Sequence, residues 1–67
     1  MKNELHQYLR EISNTVISKE ELNCLNEEAG LEITPMGVSG LYPHCEWFSV
    51  DYCGFVFNMY VERSELE

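Results

Sequence analysis

The sequence predicts an α+β domain in which two N-terminal helices pack on one face of a small, mostly antiparallel three-stranded sheet ending in a β-hairpin. Apolar residues recur at helical spacing before Gly30 and alternate with polar residues after it. Seven of the eight aromatic residues fall between Tyr42 and Tyr60. A chain of 67 residues has room for one hydrophobic core, so residues 1–65 are expected to form a single domain. The terminal Leu66-Glu67 pair is typical of a cloning scar and is left out of the functional interpretation.

The first predicted helix covers residues 3–16. Its apolar positions are three or four residues apart and would share one side of a helix: Leu5, Tyr8, Leu9, Ile12 and Val16. Asn3 is a typical N-cap residue. Ser13, Asn14 and Thr15 are weak helix formers, so an end at Ile12 is the alternative.

The second predicted helix covers residues 19–29. Ser18 and Glu21 have the spacing of a capping box, in which each side chain bonds the other residue's free backbone N–H. Gly30 can adopt the left-handed conformation that ends many helices. A narrow apolar stripe would face the core: Leu22, Leu25 and Ala29.

Alternation of apolar and polar residues predicts a strand at residues 31–34 and hairpin strands at 46–51 and 55–62. Pro35 would end the first of these strands or place it at a sheet edge. A four-residue hairpin loop, which pairs Val50 with Phe55, is the preferred register. A two-residue turn at Cys53-Gly54 is the alternative. Both put the same apolar side chains on the core face: Phe48, Val50, Phe55, Phe57, Met59 and Val61.

The charge of the chain restricts its partners. Twelve acidic residues against four Lys and Arg give a net charge of −8. Such a chain is repelled by nucleic acid and by anionic membranes, so neither is expected as a direct partner. A basic protein surface is the expected partner, and acidity that serves only solubility is the alternative. The polar N-terminus, the lack of a long apolar segment and the odd number of cysteines predict a cytoplasmic protein.

No residue pattern predicts catalysis, a metal site or a cofactor. His44, Cys45 and Cys53 lack the close pairs of ligands that structural zinc sites use. A thiol nucleophile would need a nearby base or cation, which the neighbours of Cys53 do not offer. The paired carboxylates Glu20-Glu21 and Glu27-Glu28 fit the solvated side of a helix.

The sequence therefore favours a small acidic interaction module without catalytic activity, acting as an inhibitor or masking protein for a basic partner. In the predicted register Trp47, Val56 and Tyr60 lie on the sheet face away from the helices, where aromatic side chains can anchor a partner. The predicted partner-binding residues are Trp47, Val56, Tyr60, Glu46 and Glu62. Two alternatives stay open: the same face or the hairpin edge joins two copies of the chain, or residues 36–45 fold over that face and bury it.

Overall fold

The structure is a computed structural model that describes residues 2–66, with side chains from residue 4. Its elements are α1 (Lys2–Ile12), β1 (Thr15–Val16), α2 (Lys19–Asn26), β2 (Leu31–Val38), β3 (Cys45–Tyr52), β4 (Phe55–Glu62) and α3 (Arg63–Leu66). The strands form a four-stranded mixed sheet in the order β1-β4-β3-β2. Strand β1 runs parallel to β4, whereas the other neighbours are antiparallel.

The predicted three-stranded, mostly antiparallel sheet is wrong, although the chain is α+β. The additional strand, β1, comes from residues that the sequence assigned to the end of the first helix, which stops at Ile12 instead of Val16. Asn14 adopts a left-handed φ of 65°, which breaks the helix. The N–H groups of Asn14 and Ile17 then donate to carbonyl groups of β4 at 2.7 Å. Hydrogen bonds to a distant strand therefore replace the last helical turn.

Helix α2 begins at the predicted cap and ends early. The backbone N–H of Glu21 donates to the Ser18 hydroxyl at 3.1 Å, which satisfies a donor that has no partner within the helix. The helix ends at Asn26, and Ala29, expected in the core, is exposed. Gly30, with φ of 79°, then redirects the chain into β2.

The predicted four-residue hairpin loop is also wrong. Tyr52 pairs with Phe55, and Val50 pairs with Phe57. The connection is thus the two-residue turn, in which Cys53 and Gly54 both have positive φ, of 53° and 85°. Two consecutive left-handed residues make a type I′ turn, whose twist matches that of the strands. Changing the loop length by two residues leaves each side chain on its predicted face.

Replacing Gly54 with Ala should destabilise the domain by about 1–2 kcal/mol, because a Cβ atom makes the left-handed conformation costly. Apart from Gly54 itself and its two chain neighbours, nothing lies within 4 Å of the Cβ position, so the backbone alone would carry this cost. Urea unfolding measures the effect, and Cys53→Asn is the control because Asn tolerates this conformation. An unchanged midpoint for Gly54→Ala would refute the turn assignment.

The two longer helices pack on one side of the sheet, which we call the inner face. Fully buried Leu9 of α1 and buried Leu25 of α2 belong to the same apolar cluster as Val50 of β3 and Met59 of β4. Leu66 also packs against this cluster, so it belongs to the fold; Glu67 lies outside the described residues.

Strand β2 extends beyond the predicted end at residue 34. Pro35 lies within the strand, and a register shift between Pro35 and Gly37 leaves Met36 as an extra residue. Because β2 is an edge strand, the missing N–H of Pro35 is tolerated there.

Candidate protein-binding face

The opposite side of the sheet, which we call the outer face, carries the candidate site. Its side chains form cross-strand rows that follow from the strand register. The turn row lies nearest the β3–β4 turn and contains Glu32, Asp51 and Val56. The middle row contains Thr34, Ser49 and Asn58. The third row contains Gly37, Trp47 and Tyr60, and beyond it Cys45 pairs with Glu62.

The segment between β2 and β3, residues 39–44, covers one end of this face, and we call it the strap. The Tyr42 ring lies 4.9 Å from the Tyr60 ring, measured between centroids. The Tyr42 hydroxyl donates to the Asn14 carbonyl at 3.4 Å, beside β1. Tyr60 is only 6% exposed, and Cys45 is fully buried. This segment therefore folds over Tyr60, as the alternative interpretation expected. Tyr60 is buried and cannot anchor a partner.

The N-terminal end of the strap is held by a buried hydroxyl. The side-chain oxygen of Ser39 accepts hydrogen bonds from the backbone N–H groups of Leu41 and Tyr42, at 3.1 and 3.0 Å. Ser39 itself is buried, and its N–H donates to the Cys45 carbonyl. These bonds fix the turn that brings Tyr42 onto Tyr60.

The C-terminal end of the strap is held by Arg63. The Arg63 guanidinium donates to the Pro43 carbonyl at 2.6 Å and lies 3.6 Å from the Glu46 carboxylate. The Glu62 carboxylate is 4.0 Å from the His44 ring nitrogen. Glu46 is therefore paired within the fold, and the register places it on the inner-face side of β3, whereas Glu62 forms an ion pair only when His44 is protonated.

Trp47 is held in a defined orientation on the part of the outer face beyond the strap. Its indole N–H donates to the Asn58 side-chain oxygen at 3.0 Å. Asn58 belongs to the middle row, so the indole leans from the third row towards the β3–β4 turn. Trp47 is partly exposed, and Val56, in the turn row, is 64% exposed. Two of the three predicted apolar anchors thus remain accessible.

The turn row holds two carboxylates that the sequence did not single out. Glu32 and Asp51 stand directly opposite each other on β2 and β3. Neither side chain has a hydrogen-bond or ion-pair partner among residues 4–66. Like charges in this position destabilise a sheet. The three rows contain no Lys or Arg, so the uncovered outer face is acidic, and the neutral polar middle row lies between Trp47 and Val56.

Replacing Glu32 with Lys should stabilise the free domain by about 0.2–1 kcal/mol, because an opposite-charge pair with Asp51 would replace the repulsive one. Urea unfolding at low salt measures this change. Glu28→Lys is the control, because it alters the net charge equally at an exposed position outside the sheet. Equal stabilisation by both variants would mean that the gain comes from net charge alone.

The three cysteines are free thiols, and only Cys45 is buried. Burial raises the pKa of the Cys45 thiol, and the nearby Glu62 carboxylate raises it further, so this environment opposes formation of a thiolate. Cys53 lies at the other end of β3, roughly 26 Å away along an extended chain. Among residues 2–66, no group of three or more His, Cys, Asp or Glu residues is placed to hold a metal ion.

Comparisons with protein-family models, curated proteins and solved structures found no match to this chain. Across residues 2–66, none of the helices has the length and apolar character needed to cross a membrane. The candidate site therefore rests on the chemistry and geometry of the outer face itself.

Proposed function

We propose that this protein is a binding module without catalytic activity, and that its outer face holds a basic surface of another protein. The observation that supports the proposal is a partly exposed, oriented Trp47 on the same sheet face as exposed Val56 and two carboxylates that have no partner among residues 4–66. Aromatic side chains supply much of the binding energy at protein interfaces, and acidic groups steer a basic partner to them. Such binding would mask or inhibit the covered surface of the partner.

The residues that contact the partner protein are Trp47, Val56, Glu32 and Asp51. Tyr60 supports the strap from beneath, so its role is structural. The same carboxylates would repel nucleic acid phosphates. The three cysteines are free thiols, which favours a cytoplasmic location for the proposed activity.

A symmetric dimer through the outer face is the less favoured alternative. It would bring the carboxylates of Glu32 and Asp51 of one copy close to those of the other, which costs free energy without a bridging cation. Sedimentation velocity at two concentrations tests this alternative. A species that stays monomeric at the higher concentration excludes the dimer, whereas a dimer that Glu32→Lys strengthens would support it.

Affinity capture with matched baits tests the proposal. Wild-type protein, Trp47→Ala and Tyr8→Ala are immobilised and exposed to an extract of the cells that produce this protein. Tyr8 is the control because it is an exposed aromatic residue on α1, in the helical layer. A basic protein should be retained by wild type and by Tyr8→Ala, released by salt, and lost with Trp47→Ala. Retention by Trp47→Ala, or an acidic partner, would contradict the proposal.

A further inference from the structure

We infer that the groove between α1 and α2 is a second binding surface, and that it takes a basic amphipathic helix of another protein. The groove lies on the side of the domain opposite the outer face, because both helices pack on the inner face of the sheet. This inference goes beyond the proposed function, since it concerns a different surface and a different binding partner. It depends on the shape of the groove, its apolar floor and the charge of its rim.

The groove exists because the two helices pack on the sheet separately. Each helix contacts β4 more extensively than it contacts the other helix. The space left between them has a volume of about 510 Å³. A cavity of about 150 Å³ holds one benzene-sized group, so the groove has room for about three such groups. An amphipathic helix presents about three or four apolar side chains over two turns.

The floor of the groove is apolar and incompletely covered. It is lined by Leu5 and Tyr8 of α1 and by Leu25 of α2. Leu25 is buried and Leu5 is half-buried, whereas Tyr8 is 38% exposed. The apolar stripe of α1 is thus wider than the part of it that packs on the sheet. Its uncovered aromatic ring is the kind of side chain that anchors a partner.

The rim of the groove is acidic. The same hollow is lined by three carboxylates, those of Glu20, Glu21 and Glu28, and by no Lys or Arg. None of the three has a hydrogen-bond or ion-pair partner among residues 4–66. An acidic rim around an apolar floor is complementary to a helix with Lys or Arg residues beside its apolar stripe. It opposes a second copy of this chain, which would bring a second acidic rim.

The backbone chemistry of the groove favours a helix over an extended peptide. The groove is walled by the side chains of two helices, whose interior backbone groups bond within each helix. An extended segment would find no strand edge there, so its N–H and C=O groups would lose water without gaining protein partners. A helix satisfies these groups internally and inserts only side chains into the groove.

Titration of ¹⁵N-labelled protein with two synthetic peptides tests the inference. The first is an acetylated and amidated helix of about four turns, with leucines on one face, lysines beside them and alanines elsewhere. The second has the same composition in an order that spreads the leucines around the helix. The first should bind saturably and shift the amide signals of Tyr8 and Glu21, while the indole signal of the only tryptophan, Trp47, stays unchanged. The second keeps the charge but lacks the stripe, so it should bind at least about fivefold more weakly.

Matched variants place the first peptide in the groove. Tyr8→Ala should weaken its binding about five- to thirtyfold, whereas Leu41→Ala, which truncates an exposed apolar side chain on the strap, should not. Glu21→Gln should weaken it about two- to fivefold, whereas Glu11→Gln, which removes the same charge beside a different hollow on α1, should not. Circular dichroism checks the fold, and Glu21→Gln decides if Tyr8→Ala does not fold.

Four results would each overturn the inference: no binding of the first peptide, equal binding of the second, unchanged affinity in the folded groove variants, or a shift of the Trp47 indole signal without shifts in α1 and α2. Tyr8→Ala leaves the outer face intact. Loss of a captured protein with Trp47→Ala therefore tests the proposed function separately from this inference.

Discussion

Replacing Trp47 with Ala should lower the affinity for the captured partner about 30- to 1,000-fold while the domain stays folded. The indole is the largest partly exposed apolar group in the three outer-face rows, and its hydrogen bond to Asn58 holds it in place before binding. A side chain that is already oriented loses little entropy in the complex, so its removal is costly for binding. Titration calorimetry with the captured partner measures the loss.

The stability of the same variant separates an anchor from a core residue. A fully buried Trp costs about 3–5 kcal/mol when replaced by Ala. Trp47 is partly exposed, so the loss should fall below that range and include about 1 kcal/mol for the hydrogen bond. Far-UV circular dichroism follows unfolding, because the variant lacks the only tryptophan. Should Trp47→Ala not fold, Trp47→Phe keeps an aromatic ring and must retain partial binding. Unchanged affinity in either folded variant contradicts the account.

Replacing Leu9 with Ala should destabilise the domain by about 2–5 kcal/mol. A chain of this length has a total stability of about 3–10 kcal/mol, so the substitution would remove a large share of it and lower the urea midpoint markedly. Leu9 is fully buried where α1 meets the inner face, and the cavity left by its side chain would lie in the shared apolar cluster.

The control for this substitution is Leu41→Ala, which removes the same atoms from the strap. Leu41 is 65% exposed, so its replacement should change the stability by less than about 0.5 kcal/mol. Urea unfolding of both variants measures the difference. Equal midpoints would show that the helices do not pack on the inner face as described.

Features that depend on neighbouring residues could be predicted from the sequence. Ser18 and Glu21 are three residues apart, and the Ser18 half of the predicted capping box forms: its hydroxyl accepts from the Glu21 N–H at the start of α2. The faces of β3 and β4 follow from alternation alone, so Trp47 and Val56 share the outer face whether the hairpin loop has two residues or four. Two of the four residues of the proposed site, Trp47 and Val56, could therefore be predicted from the sequence.

Features that depend on distant contacts could not be predicted. Val16 fits the apolar stripe of a helix as well as it fits a strand, and its pairing with Tyr60 decides between them. Likewise, Glu32 becomes a neighbour of Asp51 only through the β2–β3 register, which no turn signal in the sequence specifies. The strap buries Tyr60, and its position depends on the contact between the Tyr42 ring and the Tyr60 ring on β4.

The central claim is that the outer face, and not the helical layer, meets the partner. Mapping the captured partner onto ¹⁵N-labelled protein by NMR tests it most directly. The account predicts changes at the Trp47 indole N–H and at the amides of Glu32, Asp51 and Val56, with the signals of α1 and α2 unchanged. Changes confined to α1 and α2, with the Trp47 indole signal unaffected, would contradict it.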